Sequence, residues 1–391
     1  MPPSNHLNSG VPSLDKVLST LRALAEKPLS EATAMPREVY LSDELLELEK
    51  KNIFEKEWLC AGRTDDIPNA GDYLTYDIGD QPIIVIRNKN GSIRSMSNVC
   101  LHRMMKLLEG RGNARRITCP YHAWTYKPDG QLLAAPHMEK TSCFELKKMK
   151  LPKVRCEIWH GWIYVTLNPK AVSVGDQLKK LDKVVGRYRM EDYVGIISED
   201  VEWNTNWKLL CENFMEGYHL PVAHRATVGG FIPLDDTKFD ARGPFDSFTY
   251  QYFGKSADAP VGTAHPKNKH LKGKHRYTSI LPTVFPSHMY ALAPDHFWYL
   301  SIQPNGTDKV RIRFGASVAP EVLEHHLDPE GFLRDTKWFL STVQEEDRVV
   351  VEGIFKGAKA PLSKSGPLSW LEHENHEFTQ YLARRLTSAK T

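Results

Sequence analysis

One short segment restricts this chain more than any other: residues 100–122, CLHRMMKLLEGRGNARRITCPYH. It places Cys100 two positions before His102 and Cys119 three positions before His122, with sixteen residues between the two pairs. Thiol and imidazole side chains at such short spacings are typical metal ligands. The segment therefore predicts a metal centre built from two facing loops, each of which supplies one sulfur and one nitrogen.

Two kinds of centre use two cysteines and two histidines. A tetrahedral zinc ion accepts all four, but zinc fingers usually group their ligands as C-x-x-C and H-x-x-x-H. In a Rieske [2Fe–2S] cluster, two cysteines bind one iron and two histidines bind the other. Each loop then contributes one residue of each type, as it does here. The mixed pairing favours the Rieske cluster, which relays single electrons, and leaves zinc as the alternative.

Length and composition limit the remaining possibilities. A chain of 391 residues exceeds the usual size of a single core, so two domains are expected. A net charge of +3 argues against a nucleic-acid partner. No apolar run is long enough to span a membrane and the N-terminus lacks a secretory signal, so we expect a soluble cytoplasmic protein. Six cysteines in that setting indicate thiols and metal ligands rather than disulfides.

The pattern of strands and helices changes along the chain. We interpret residues 1–42 as a loosely attached N-terminal arm. Residues 43–169 begin with a helix, for which Ser42 is the expected N-cap, and continue as short strands separated by turn signals. Residues 170–391 mix aromatic-rich strands with helices. Those helices are predicted at 173–190, 204–219 and 329–356.

A second group of histidines lies in the segment NWKLLCENFMEGYHLPVAH, residues 206–224. His219 and His224 are five positions apart, which on an unbroken helix would separate their side chains by about 140°. Both can reach one metal only if the helix ends or distorts near Pro221. Two histidines and one carboxylate on one face of an iron leave positions open for dioxygen, as in the facial triad of non-haem Fe(II) oxygenases. The carboxylate can lie far away in the sequence.

At these residues the chain resembles the Rieske-type oxygenases, the terminal components of ring-hydroxylating dioxygenases and of related monooxygenases and demethylases. CLHR and CPYHAWTY carry the resemblance at the cluster, where Ala123 replaces the usual glycine of CPYHGWxY. In the downstream segment, the matching residues are Asn206, Trp207, Lys208, Glu212, Asn213, Glu216, His219 and His224. The resemblance implies an α+β protein: an N-terminal all-β Rieske domain and an α+β catalytic domain with a helix-covered antiparallel sheet.

The resemblance also implies two cofactors and their ligands. The expected ligands of the [2Fe–2S] cluster are Cys100, His102, Cys119 and His122. The expected ligands of a mononuclear Fe(II) are His219, His224 and Asp347, with Glu345 and Glu346 as competing carboxylates. The resemblance further implies catalytic roles for Glu216 and Asn213.

Members of this family activate O₂ at the iron, and electrons from NAD(P)H reach the cluster through a separate reductase or ferredoxin. A head-to-tail homotrimer is expected, in which the cluster of one subunit lies beside the iron of the next. Glu216 occupies the position of the carboxylate that bridges the two centres across this interface. Most aromatic dioxygenases have Asp there, whereas Glu is associated with the carnitine, betaine and choline oxygenases.

The substrate region is expected between residues 230 and 300. Its aromatic residues are Phe231, Phe239, Phe245, Phe248, Tyr250, Tyr252, Phe253, Tyr290, Phe297, Trp298 and Tyr299. An aromatic cage suits a quaternary ammonium ligand, although alternating aromatic residues on strands more often form a core. We therefore predict hydroxylation or N-demethylation of a small quaternary ammonium or N-methylated compound. An aromatic acid or amine is the alternative substrate.

Two hypotheses belong to other functional classes. A Rieske electron carrier without oxygenase activity would use the cluster alone, and the second histidine pair counts against it. A zinc-stabilised binding protein would be colourless, whereas a Rieske protein is red-brown. The sequence therefore favours the oxygenase over both.

Overall fold

The computed structural model of the protein describes residues 12–230, 234–240, 243, 246–254 and 262–387. The chain forms two compact units, one of which comprises Phe54–Ser198. The other joins the chain up to Ile53 with the chain from Glu199 onwards. The domain limits predicted above, 1–42, 43–169 and 170–391, stay a prediction. Two aromatic residues named above, Phe231 and Phe245, and the first eleven residues of the predicted arm lie outside the described residues.

Helices and strands alternate unevenly along the chain. The α-helices are α1 (Leu14–Ala25), α2 (Glu38–Leu41), α3 (Asp43–Glu49), α4 (Val174–Gln177), α5 (Lys179–Val185), α6 (Trp207–Phe214), α7 (Leu220–Ala223), α8 (Pro320–Glu324), α9 (Pro329–Ala358) and α10 (His373–Thr387). The strands up to residue 170 are β1 (Leu59–Arg63), β2 (Asp72–Ile78), β3 (Gln81–Arg87), β4 (Ile93–Ser97), β5 (Arg111–Asn113), β6 (Ile117–Thr118), β7 (Thr125–Tyr126), β8 (Leu132–Ala134), β9 (Lys153–Trp159) and β10 (Trp162–Thr166). The later strands are β11 (Val194–Trp203), β12 (Lys238–Phe239), β13 (Phe248–Gly254), β14 (Thr278–Val284), β15 (His288–Leu292), β16 (His296–Pro304) and β17 (Val310–Val318).

The unit Phe54–Ser198 is built on two antiparallel sheets. The larger has seven strands in the order β1-β10-β9-β4-β3-β2-β5, and the smaller pairs β6, β7 and β8. The apolar run of β3 is buried along its length, from Ile83 to Ile86, as expected for a strand covered on both faces. The turn after β3 contains Gly91 with a φ of 81°, a conformation that suits glycine. The predicted all-β architecture of the first domain is confirmed.

The other unit contains a seven-stranded sheet in the order β11-β17-β16-β15-β14-β13-β12. Strands β12 to β17 pair consecutively and antiparallel. Helix α6 contacts β16, and α10 contacts β13. The ring of Phe378 on α10 lies 5.8 Å from those of Trp207 and Phe285. The prediction of a helix-covered antiparallel sheet is therefore confirmed.

The N-terminal segment does not behave as a loosely attached arm. Helix α1 buries Val17, Leu21 and Leu24 along one face. Its residue Arg22 donates a hydrogen bond to the carbonyl of Thr387, at the end of α10, over 2.9 Å. The prediction of loose attachment was wrong for this helix, because its apolar face is covered within the unit. Ser42 caps α3 as predicted, with its side chain accepting from the Leu45 N–H group.

Among the described residues, no helix has both the length and the apolar character needed to cross a membrane.

Candidate metal centres

Two loops with the same backbone geometry carry the four predicted cluster ligands. In each, the N–H group four residues after the cysteine donates to the cysteine carbonyl over 3.1 Å. These N–H groups belong to Met104 and Ala123, and both residues have a φ of 57°. Alanine in this left-handed conformation costs about 1 kcal/mol relative to glycine, which accounts for the glycine usual at position 123. Cys100 and Cys119 thus occupy equivalent positions in their loops.

The cysteine sulfurs are buried, whereas the imidazoles are exposed. Cys100 and Cys119 are 2% and 3% exposed and belong to the apolar core of this unit. The rings of His102 and His122 lie at the surface with their centroids 4.6 Å apart. His102 also stacks on buried Trp124 at 4.9 Å. Protected sulfurs beneath accessible nitrogens fit a Rieske cluster that is held from the core and exchanges electrons through its histidines.

Tyr126 is a further residue of this centre, to which the sequence interpretation gave no role although it ends the CPYHAWTY motif. Its hydroxyl lies 3.3 Å from Sγ of Cys100 and accepts a hydrogen bond from the Leu101 N–H group over 3.0 Å. Burial raises the pKa of Tyr126, and the contact with Cys100 raises it further. The hydroxyl therefore keeps its proton and can donate it to the sulfur. A donor on a cluster sulfur is one of the levers that set the reduction potential.

His219, His224 and Asp347 lie together in the other unit. One ligand atom of each lies within 4.8 Å of the other two, and the described residues contain no second group of this kind. Nε2 of His219 and Nε2 of His224 are 3.6 and 3.0 Å from Oδ1 of Asp347. Two nitrogens and a carboxylate oxygen that face one point match the donor set of a mononuclear iron.

A break in the helix brings the two histidines together. Helix α6 ends at Phe214, so the predicted helix 204–219 was too long at its C-terminal end. A new one-turn helix, α7, follows, with His219 as its N-cap and His224 as its C-cap. Pro221 lies in the first turn of α7, where its missing N–H group costs nothing. The chain therefore breaks before Pro221, and the two ring centroids lie 5.1 Å apart.

Three carboxylates in succession on α9 have different partners. Asp347 faces the two histidines, whereas Glu346 Oε2 lies 2.8 Å from Nδ1 of His224 and also accepts from the hydroxyl of Thr227. Glu345 is exposed and pairs with Arg348. Of the three competing carboxylates, the geometry favours Asp347 as the ligand. The contacts of Glu346 and Thr227 were not anticipated, since 122 residues separate Glu346 from His224.

Glu216 and Asn213 support the centre without facing the same point. Glu216 Oε1 lies 2.6 Å from Nδ1 of His219, and its other oxygen accepts from the His219 N–H group over 3.1 Å. Asn213 donates from Nδ2 to Oδ1 of Asp347 over 2.7 Å. Each histidine thus has its Nδ1 held by a glutamate, which leaves Nε2 directed at Asp347. Such contacts fix the tautomer and orientation of a metal-binding imidazole.

The charges of the centre suit a cation. Burial lowers the pKa of His219, but its interactions with Asp347 and Glu216 outweigh this effect and raise the pKa to about 9. Burial raises the pKa of Asp347, yet the two histidines lower it to about 2. The carboxylate is therefore ionised at neutral pH. A divalent metal would displace the Nε2 protons of the two imidazoles and take their place beside this carboxylate.

A cavity opens beside Asp347. It encloses about 250 Å³ of empty space, part of it open to solvent. Its lining residues are Trp203, Trp298, Leu300, Phe314, Leu340, Val343, Gln344 and Asp347. Of the aromatic residues singled out between 230 and 300, Trp298 lines this cavity, whereas Phe248, Tyr250, Phe253, Tyr290, Phe297 and Tyr299 are buried in the core.

The sequence interpretation missed two aromatic residues of this cavity. Trp203 ends β11 and Phe314 lies on β17, both outside the range 230–300. The alternation on β17 could have indicated Phe314, but nothing local to the sequence shows which face of that strand meets α9.

Comparison with known proteins gives matches to both units. Residues 190–388 match the model of the ring-hydroxylating alpha subunit (catalytic domain), and residues 57–150 match the Rieske [2Fe–2S] domain. The first model spans more than half of the chain. The chain therefore belongs to the ring-hydroxylating alpha-subunit family, a class of Rieske non-haem iron oxygenases. The cofactors of this class are a Rieske [2Fe–2S] cluster and a mononuclear iron, and the donor sets described above fit both.

Individual relatives point to one branch. The carnitine monooxygenase oxygenase subunit of Escherichia coli (strain K12) is 36% identical over 197 residues, 50% of this chain and 53% of that protein. The glycine betaine monooxygenase oxygenase subunit of Chromohalobacter salexigens is 37% identical over 205 residues, 52% of this chain and 46% of that protein. The chain thus spans about half the length of these relatives.

A solved structure extends the likeness in fold to nearly the whole chain. The structure of a quaternary ammonium Rieske monooxygenase, described for carnitine oxidation and inter-subunit electron transfer, has a TM-score of 0.78 to this chain at 24% identity. The superposition covers 93% of this chain and 98% of the chain in that structure. At that identity the likeness shows the fold.

Proposed function

We propose that this chain is a terminal oxygenase that oxidises a small quaternary ammonium or N-methylated compound with O₂, by hydroxylation or N-demethylation. The observation that carries the proposal is the cavity beside Asp347. Trp203, Trp298 and Phe314 supply three aromatic side chains to its wall. The relatives named above act on carnitine and glycine betaine, both of which contain a quaternary ammonium group.

The aromatic wall suits a cation for a physical reason. Two of the aromatic rings of the wall lie side by side: the ring of Trp298 is 6.4 Å from that of Phe314, with the two planes inclined at 39°. A ring face carries partial negative charge and attracts an ammonium group by about 0.5–2 kcal/mol. Most of the remaining wall is aliphatic, so it offers apolar contact to the methyl groups of such a compound. A quaternary ammonium ion is weakly hydrated and fits such a wall.

The chain's own residues then have defined tasks. We assign Cys100, His102, Cys119 and His122 to the cluster and His219, His224 and Asp347 to the iron. When bound, the cluster supplies single electrons and the iron activates O₂. Glu216 and Glu346 hold the two Nδ1 protons, so both Nε2 atoms stay available to the metal. Asn213 fixes the carboxylate of Asp347 through its amide.

One other substrate class and one other functional class have to be weighed against an ammonium-oxidising enzyme. An aromatic acid or amine with a single ring is the second candidate, since aromatic walls also bind aromatic rings. A Rieske electron carrier would not need the arrangement around Asp347.

The partners belong to the same proposal. We propose a separate reductase or ferredoxin as the donor of NAD(P)H electrons and a head-to-tail homotrimer in the cytoplasm, with no nucleic acid or membrane partner. Two exposed apolar surfaces support the trimer: Met104 and Tyr121 beside the cluster histidines, and Tyr218 and Val222 beside His219. Glu216 would bridge His219 to a cluster histidine of the next subunit.

A single-turnover experiment tests the function without a known reductase. The iron-loaded protein is reduced chemically, freed of reductant and exposed to O₂ with choline, glycine betaine, carnitine, benzoate or aniline. We expect oxidised product from at least one ammonium compound, measured by mass spectrometry, together with loss of the reduced cluster signal. Product from the aromatic compounds alone would overturn the substrate assignment. No product, with both metal sites filled, would overturn the oxygenase assignment.

A further inference from the structure

Gln344 differs from every other residue that lines the cavity. It lies on α9 three positions before Asp347, so both side chains project from the same face of the helix. The other lining residues, apart from Asp347, have aromatic or aliphatic side chains. Among the described residues that line the cavity, Gln344 is therefore the one with a neutral polar side chain. It lies one helical turn from the proposed iron ligand.

The amide of Gln344 is available to a ligand. Asp347 already accepts from Asn213 and lies beside His224. The Gln344 side chain, by contrast, makes no hydrogen bond within the part of the chain that the structure describes, and it is half-buried. An amide offers two N–H donors and one carbonyl acceptor. A half-buried amide without a partner, at the edge of an apolar cavity, is suited to bind one polar group of a ligand.

We propose that Gln344 is a specificity-determining residue, whose amide donates a hydrogen bond to an oxygen atom of the substrate. The ammonium group of the same substrate would lie among Trp203, Trp298 and Phe314. This inference rests on the proposed function and narrows it. The substrate class becomes a quaternary ammonium compound that carries a hydroxyl or carboxylate oxygen. Two-point binding would fix which carbon faces the iron, whereas an aromatic cage alone would let a near-spherical ammonium group rotate.

Three ligands distinguish binding of the ammonium group from binding of the oxygen atom. Tetramethylammonium has the cation and no oxygen, choline adds a hydroxyl, and glycine betaine adds a carboxylate. Dissociation constants are measured by calorimetry on the anaerobic, iron-loaded protein, with metal content checked for each variant. Gln344→Leu should leave tetramethylammonium unchanged and weaken choline and betaine about five- to tenfold or more, since each loses one hydrogen bond.

Gln344→Glu tests how a negative charge at this position affects the binding of each ligand. A carboxylate at 344 can still accept a hydrogen bond from the choline hydroxyl, but it repels the carboxylate of betaine. We expect choline affinity to stay within about threefold of the original and betaine affinity to fall more than about tenfold. Gln303→Leu is the matched control. That glutamine, on β16, does not line the cavity, and its replacement should change none of the three constants.

The outcomes distinguish this inference from the proposed function. If Gln344→Leu weakens all three ligands equally, or none, Gln344 does not bind the substrate oxygen and the inference is wrong, while the aromatic cage still stands. If the unmodified protein binds none of the three ammonium compounds but binds benzoate or aniline, the proposed substrate class itself fails.

Discussion

At the scale of single residues, Glu345 and Glu346 show how neighbours on one helix differ in their chemistry. Glu346 holds Nδ1 of His224, and Glu345 pairs with Arg348 at the surface. We predict that Glu346→Leu weakens metal binding at the mononuclear site about 10- to 100-fold, because His224 loses the contact that orients it. Titration with Co(II), followed by its visible absorption, measures this affinity independently of turnover.

Glu345→Leu is the control for that experiment, since it removes a carboxylate from the adjacent position without touching a histidine. Equal affinities in the two variants would show that Glu346 has no orienting role. Thr227→Val should give a smaller loss than Glu346→Leu, because it removes only one hydrogen bond from Glu346.

Asp347 allows a second prediction at this scale. Asp347→Ala removes one of the three proposed ligands, so the purified protein should lose its mononuclear iron and its product formation. The Rieske absorbance should remain, because Cys100 and Cys119 belong to the core of the other unit. Metal analysis and visible spectroscopy on the same sample check both parts. Full iron content in this variant would return the ligand role to another carboxylate of α9.

At the scale of elements, α6 is tied to the N-terminal helices by buried polar groups. Lys208 on α6 pairs with Glu49 on α3 over 2.7 Å, and both side chains are almost fully buried. Glu49 also accepts from the indole of Trp207 over 2.8 Å. The hydroxyl of Tyr40 donates to Glu212 over 2.8 Å. These contacts hold α6 in place, and α6 carries Asn213 to Asp347.

Glu212 makes the stability of this element depend on pH. Burial raises its pKa to about 7, above the value of about 4.5 expected in the unfolded chain. Between about pH 4.5 and pH 7, Glu212 therefore keeps its proton in the folded state but has lost it in the unfolded state. The free energy of unfolding that depends on Glu212 falls as the pH rises through this range. Glu212→Gln should be more stable than the original by roughly 2–3 kcal/mol at pH 8 and by much less at pH 5. Urea unfolding at the two pH values measures the difference, and an equal effect at both would contradict it.

Local sequence predicted the parts of the fold that local physics determines. The length of α9 followed from its pattern, predicted at 329–356 and observed at Pro329–Ala358, and the cap at Ser42 followed from its residue type. The C-terminal end of α6 did not follow from the local sequence, because Met215 is compatible with a helix and the break depends on contacts around His219. Glu346 and Trp203 reach the centre only through the packing of α9, which a single sequence does not reveal.

At the scale of the whole molecule, the two metal centres belong to different units. The cluster loops lie in Phe54–Ser198, and the histidines at 219 and 224 lie in the other unit. An electron that moves from the cluster to the iron must therefore pass from the unit Phe54–Ser198 to the unit that carries the histidines. The proposed trimer would supply this route between neighbouring subunits. We expect this route to depend on Glu216, whose side chain is 12% exposed and contacts His219.

Glu216→Gln tests that route. The amide can keep one contact with His219, but its NH₂ group cannot accept from a second imidazole, so the bridge between the centres is lost. We expect the variant to keep cluster, iron and trimer and to lose most product formation. In single turnover, with substrate and O₂ added to the reduced protein, its cluster should oxidise far more slowly than that of the original.

Glu346→Gln is the matched control, because it alters the carboxylate on His224 and leaves the proposed route intact. With both variants saturated with iron, slow cluster oxidation in Glu216→Gln alone assigns the effect to electron transfer. Equal slowing in both variants would mean that Glu216 acts only by orienting its histidine, as Glu346 does. Oxidation of the cluster at the original rate in Glu216→Gln would remove Glu216 from the path, and the link between subunits would then have to pass through another residue of the exposed surface beside His219.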